Sequence, residues 1–105
     1  MAETAAGNHL SGIEYFTMLI NNDKESPEYF IARADAYLKS NNHALARFDL
    51  SQALDLNPSI SDAWCKMGVV LQKDDKPDDA CYYWRRALQM GNREAAEYIY
   101  RYCAK

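Results

Sequence analysis

An all-α fold, six antiparallel helices following one another as hairpins, is what three features of this sequence predict. The stretch over residues 58–87, PSISDAWCKMGVVLQKDDKPDDACYYWRRA, has a counterpart 34 residues earlier. Phe30, Ala34, Ala46, Leu50 and Ala53 repeat the spacing of Trp64, Gly68, Ala80, Trp84 and Ala87. Apolar residues recur at three and four positions rather than at two, so helices are favoured and no stretch reads as a strand. Pro27, Pro58, Pro77 and Gly91 stand between the periodic segments, each beside a short polar cluster. A fixed period holding two helices per unit is the pattern of a stacked hairpin array.

Residues 1–8 carry no period, and residues 1–10 read as a disordered lead-in. Ser11 and Glu14 then have the spacing of a capping box, with Leu10 and Tyr15 where a hydrophobic staple would pack. Ile13, Phe16, Leu19 and Ile20 share one helical face, and Asn21, Asn22 and Asp23 end it. Ser26-Pro27-Glu28 starts the second helix: an N-cap, a proline at the first helical position and an acid in the first turn. Phe30, Ile31, Ala34, Tyr37 and Leu38 form its apolar face, and Ser40-Asn41-Asn42 stops it. A third helix over 43–56 is expected to bury Leu45, Ala46, Phe48, Leu50, Ala53, Leu54 and Leu56 before Asn57-Pro58 breaks it.

The fourth helix starts near Ser61 and carries Trp64, Met67, Gly68 and Leu71 inward. Pro77 opens the fifth, with Asp78 and Asp79 at its positive end and Ala80, Cys81, Trp84, Ala87 and Leu88 toward the core. Gly91 suits the residue just past that helix, and Asn92 can cap a sixth that runs to Cys103, with Ala95, Tyr98, Ile99 and Tyr102 inward. Trp64 and Trp84 are both expected to be largely buried.

At 105 residues with 49% hydrophobic content, the chain suits one small domain with one core. A net charge of −3 with scattered basic residues excludes general nucleic-acid binding, which needs clustered Lys and Arg to neutralise phosphates. No apolar run is long enough to span a bilayer, and the N-terminus lacks the basic start and apolar segment of a signal peptide. Cys65, Cys81 and Cys103 are odd in number, widely spaced and far from His9 and His43, so no metal site is indicated. They read as three reduced thiols in a cytoplasmic protein. Cys81 and Cys103 lie ten residues before Gly91 and eleven after Asn92, so antiparallel helices bring them to one level. Two packed thiols are expected there under cytoplasmic reduction; in an oxidising compartment they could form a disulfide, but only if the Cα atoms approach within about 7 Å, closer than most helix pairs come.

The repeat resembles that of the tetratricopeptide-repeat family. Residues 27–60 supply Phe30, Ala34, Tyr37, Ala46, Leu50, Ala53 and Pro58 at the family's marked positions; residues 61–94 supply Trp64, Gly68, Leu71, Ala80, Trp84 and Ala87. Asn92 replaces the closing proline of the second unit and Leu50 an aromatic of the first. Segments 11–24 and 95–103 keep the phase as half-repeat caps, and residues 80–103 are similar to closing repeats of bacterial proteins. The resemblance implies a short superhelix of hairpins whose first-type helices line a concave groove for a protein or peptide partner. By its register that groove falls on Ile31, Asp35, Leu38, Cys65, Lys66, Val69, Lys73, Ile99 and Tyr100. The family's clamp for an acidic C-terminal peptide needs Lys and Asn at particular groove positions, and Ile31 and Asp35 occupy the first two.

Catalytic motifs are missing: no Gly-rich phosphate loop, no HExxH, no GxSxG. The expected function is therefore a protein–protein interaction scaffold that is not an enzyme and has no cofactor, nucleic acid or membrane to bind. The alternative is a self-association module that pairs two copies as a homodimer, and a third reading is a thiol redox sensor at Cys81 and Cys103.

Overall fold

The computed structural model describes the backbone of residues 5–103 and the side chains of residues 12–103. Six helices follow in order, with no strand among the described residues: α1 (Ala5–Asn22), α2 (Pro27–Lys39), α3 (His43–Leu56), α4 (Ser61–Lys73), α5 (Pro77–Gln89) and α6 (Glu94–Tyr102). They fall into two compact units, Met1–Leu56 and Asn57–Lys105.

The helix ends show why the breakers stand where they do. Pro27 and Pro77 occupy the first turns of α2 and α5, where a missing N–H costs nothing, with Glu28 and with Asp78 and Asp79 beside them. Ser26 takes the N-cap position of α2, but its hydroxyl donates to the Glu28 carboxylate at 3.1 Å and caps no backbone N–H. Asn92 does cap: its side-chain oxygen accepts from the Ala95 N–H at 3.2 Å. The turns after α2, α4 and α5 share one geometry. Asn41, Asp75 and Gly91 have φ of 63°, 62° and 98°. The N–H groups of the next residues reach back to the carbonyls of Tyr37, Leu71 and Ala87 at 2.8–3.0 Å. This is the Schellman closure, which satisfies carbonyls a helix end leaves bare.

The start of α1 departs from expectation. The helix begins at Ala5, not at Ser11, and so runs through most of the segment read as a disordered lead-in. Ala5 and Ala6 are strong helix formers, and no proline separates them from the periodic face. Residues 1–4, and the side chains of Leu10 and Ser11 on which the staple and capping box rest, lie outside the described residues.

The first unit has an apolar core built on Ile20, Phe30, Ile31, Ala34, Ala46, Leu50 and Ala53, and one ion pair within it. Arg33 donates two hydrogen bonds to Asp49, both at 2.8 Å, and a third at 3.1 Å to the Thr17 hydroxyl. Thr17 in turn donates to the Ile13 carbonyl at 2.7 Å. One guanidinium thus ties α1, α2 and α3 together, and the hydrogen bond to Asp49 holds its pKa above the ordinary arginine value. The buried arc of α3 is Ala46, Asp49, Leu50 and Ala53, the i, i+3, i+4, i+7 stripe. Asp49, not among the residues expected inward, lies on this arc, and Leu45, Phe48 and Leu56, which were, lie outside it, exposed.

The second unit is held by aromatic packing. Trp84 is fully buried; its indole N–H donates to the Cys65 carbonyl at 3.1 Å, and its ring stacks on Tyr98 at 5.0 Å and Tyr102 at 5.6 Å. Gly68 faces that ring. A Cβ built there would fall on Nε1 of Trp84 and within 2.6 and 2.8 Å of its Cδ1 and Cε2. No side chain fits, which is the physical reason for a glycine in mid-helix. Leu88, expected inward, is exposed, and Trp64 is only half-buried.

Candidate functional site

On α4 the candidate positions lie along one flank. Asp62 and Lys66 pair at 3.8 Å one turn apart, Val69 is half-buried, and Lys73 is exposed at the helix end. Cys65 does not share their access: it is 2% exposed. Burial pushes its thiol up to about 11; the carboxylates of Glu94 and Asp62 push the same way, and Lys66 opposes them. Trp84 links the two helices here: its indole N–H donates to the Cys65 carbonyl of α4 and its ring stacks on Tyr98 of α6. Tyr98 responds alike: burial raises its phenol first, then the neighbouring Cys65 and Glu94. Asp62, Cys65 and Lys66 of α4 thus lie within electrostatic reach of Glu94 and Tyr98 of α6. Ile99 is half-buried, while Tyr100, two residues on from Tyr98 and so on the far side of α6, is 80% exposed.

In the first unit, Ile31 is buried in the core, and Asp35 and Leu38 are half-buried on α2. Of the nine candidates, Ile31 and Cys65 thus serve packing more than access.

Two groupings escaped the sequence reading. Glu94, Glu97, Tyr98 and Arg101 line a shallow recess of about 150 Å³ on α6, with Arg101 and Glu97 paired at 3.0 Å. The one signal was Tyr98, which was expected inward on the sixth helix and so assigned to packing. The other grouping is aromatic. Trp64 meets Tyr83 at 5.2 Å and Tyr82 at 6.4 Å, its N–H donates to the Pro58 carbonyl at 2.8 Å, and Arg86 lies 5.4 Å from its ring centre. Tyr82 and Tyr83 are neighbours in sequence and Tyr82 is exposed, yet both rings reach the same indole.

Cys81 and Cys103 are joined as a disulfide, with Cα atoms 6.0 Å apart. The equal-level argument holds; the expectation of two reduced thiols does not. Among the described residues no group of three or more His, Cys, Asp or Glu side chains is placed to hold a metal ion. None of the described helices is long and apolar enough to cross a membrane.

Hairpins of equal length, closed by the same turn and repeating every 34 residues, define a helical-repeat domain. The fold is that of tetratricopeptide-repeat domains: residues 27–60 match the model of the tetratricopeptide repeat, and solved tetratricopeptide-repeat domains superpose on the chain. The first such domain of Spaghetti (RPAP3), bound to the HSP90 peptide SRMEEVD, aligns with a TM-score of 0.85 at 26% identity, over 90% of this chain and 77% of that one. The second domain of human RPAP3, in complex with the HSP70 peptide SGPTIEEVD, aligns at 0.84 and 28% identity, over 94% and 84%. In sequence, 71 residues are 32% identical to the type IV pilus assembly protein PilF of Pseudomonas aeruginosa. That match takes in 68% of this chain but only 28% of PilF.

Proposed function

We propose that this chain is a non-catalytic interaction domain that holds a peptide or helical segment of a partner protein. The observation that carries the reading is the likeness, above 25% identity and over most of both chains, to two domains solved with peptides. In the second unit the contact residues are Lys66, Val69 and Lys73 on α4 and Ile99 and Tyr100 on α6. Taken by itself, the first unit has Asp35 and Leu38 at the equivalent positions of α2, and Ile31 there is buried in its core. Half-buried apolar side chains bordered by lysines suit a protein segment that buries a few apolar anchors.

The ligand differs from those of the two neighbours. Asp35 is a carboxylate where the clamp for an acidic C-terminus needs a donor, so peptides such as SRMEEVD are disfavoured. The assembly role in PilF's name belongs to a far longer chain and does not transfer, although a bacterial source agrees with that relative. The cytoplasmic placement rested on the missing signal-peptide pattern and on reduced thiols, and the Cys81–Cys103 disulfide speaks against the second of these.

Selection from a peptide library, followed by fluorescence anisotropy with the selected peptide, tests the reading. Val69→Asp should weaken binding at least tenfold with an unchanged helical melt, and SRMEEVD should not compete. Equal binding by Val69→Asp removes this surface from consideration. A chain that selects no peptide but sediments as a dimer is a self-association module instead.

A further inference from the structure

We propose that Cys81 and Cys103 form an oxidation site, closed by thiol–disulfide exchange, and that closing it locks α6 in place. This goes beyond the peptide-binding reading and stands whether or not a peptide binds. Three observations carry it. The Cα atoms are 6.0 Å apart, within the range a disulfide spans without backbone movement. The thiols are delivered by packing that does not depend on the bond. Trp84 stands one turn beyond Cys81, and Tyr98 and Tyr102, the second adjacent to Cys103, stack on its ring. And α6 needs a fastening. It has nine residues, fewer than a helix needs to persist alone, and of these only Ala95 is fully buried. The bond sits at its last turn, where fraying would begin.

The third cysteine is set apart. Cys65 is buried on α4 with a thiol held at about 11, so it is almost wholly protonated near neutral pH and does not compete for the bond. Cys103, at the helix end and half-exposed, is the thiol a reagent reaches; Cys81 is 8% exposed. The Cys103 thiolate attacks an incoming disulfide, that S–S bond breaks, and one oxidant thiolate leaves. The Cys81 thiolate then attacks Cys103 Sγ of the mixed disulfide and releases the second. Two protein thiols are oxidised and one external disulfide is reduced to two thiols, so electrons and protons balance. The oxidant class is a dithiol–disulfide oxidoreductase or glutathione disulfide. Such a bond persists in an oxidising compartment, which places the working form of this domain outside a reducing cytosol.

The full chain, equilibrated in buffers of reduced or oxidised glutathione, quenched with iodoacetamide in denaturant and weighed, tests the chemistry. The oxidised sample should carry one label, on Cys65, and the reduced sample three. Three labels in excess glutathione disulfide, or a bond that includes Cys65, overturns the site. Hydrogen exchange on the same two samples tests the lock without any substitution. Reduction should speed exchange in α6 by tenfold or more, leave α2 and α3 unchanged, and lower the melting temperature by about 10 °C. Identical exchange in α6 in both states overturns the lock. Cys65→Ser should keep the bond and the slow exchange; Cys103→Ser should behave as the reduced chain.

Discussion

The hairpin α2–α3 of the first unit and the hairpin α4–α5 of the second fill one 34-residue register in two ways. Ala34 and Leu50 in the first correspond to Gly68 and Trp84 in the second, and all four are buried. Where the inner residue of the second helix grows from Leu to Trp, the residue of the first helix shrinks from Ala to Gly, and the indole occupies the space a Cβ would need. A second pair of positions changes in kind. Arg33 and Asp49, a near-buried ion pair, correspond to Met67 and Tyr83. The first hairpin is thus fastened by a charged fork and the second by aromatic area. The register prescribes where the helices meet but leaves open what fills the contact.

The largest expected effect breaks the aromatic fastening. Trp84→Ala should destabilise the protein by about 3–5 kcal/mol, the range for emptying a buried aromatic site. The comparison is sharpened by Gly68→Ala, whose sign should depend on its partner. Against Trp84 the added methyl forces the ring to move, an overpacking cost of about 1–3 kcal/mol. In a Trp84→Leu background, which copies the first hairpin, the space opens. The better helix propensity of Ala should then stabilise by about 0.5–1 kcal/mol. Urea melts of the four proteins decide it: a cost for Gly68→Ala in both backgrounds would mean that something other than the indole excludes a side chain there.

The next effect breaks the charged fork. Asp49→Ala leaves the Arg33 guanidinium largely desolvated without its carboxylate, and a loss of about 3–5 kcal/mol is expected. The double substitution Arg33→Met with Asp49→Leu gives the first hairpin an apolar filling like that of the second. It should recover most of the loss, since apolar residues often replace a buried pair at little cost. A double variant as unstable as Asp49→Ala alone would show that the fork does more than fill space, with the Thr17 contact to α1 as the remaining suspect.

How much of this the sequence disclosed depends on whether a feature is periodic. Helix order, the prolines at α2 and α5, and Gly91 past α5 follow from local rules that act within a few residues. The family resemblance rode on the same period. The fork was not legible, because Asp49 on an otherwise apolar stripe reads as an error until Arg33, 16 residues away, supplies the other half. Leu45, Phe48 and Leu56 were assigned inward for being apolar; their angular positions fall outside the arc that Ala46, Leu50 and Ala53 define. For the candidate surface, register alone named nine positions. It could not show that Cys65 is sealed under the Trp84 contact or that Glu94 and Tyr98 stand beside it. The disulfide was half legible: counting residues from the turn put Cys81 and Cys103 at one level, but how closely two helices approach depends on the side chains between them.

The smallest effect separates the two tryptophans. Trp64 and Trp84 read as equivalent from sequence, both large and both inward, which would make either deletion equally costly. Trp84 is fully buried, whereas Trp64 is half-buried, with its N–H on the Pro58 carbonyl and its ring under Arg86 and against Tyr83. Truncation of Trp64 leaves a surface notch that water fills rather than an empty cavity, so the cavity part of the cost is absent. What remains is the lost contact area, one hydrogen bond and an exposed cation–π contact, about 1–2 kcal/mol together. Trp64→Phe should recover the ring contacts while losing only the hydrogen bond, at about 0.5–1 kcal/mol. The measurement is a urea melt of each variant beside Trp84→Ala. A Trp64→Ala protein as unstable as Trp84→Ala would mean that Trp64 is core in solution, and that the two hairpins are fastened more alike than their fillings suggest.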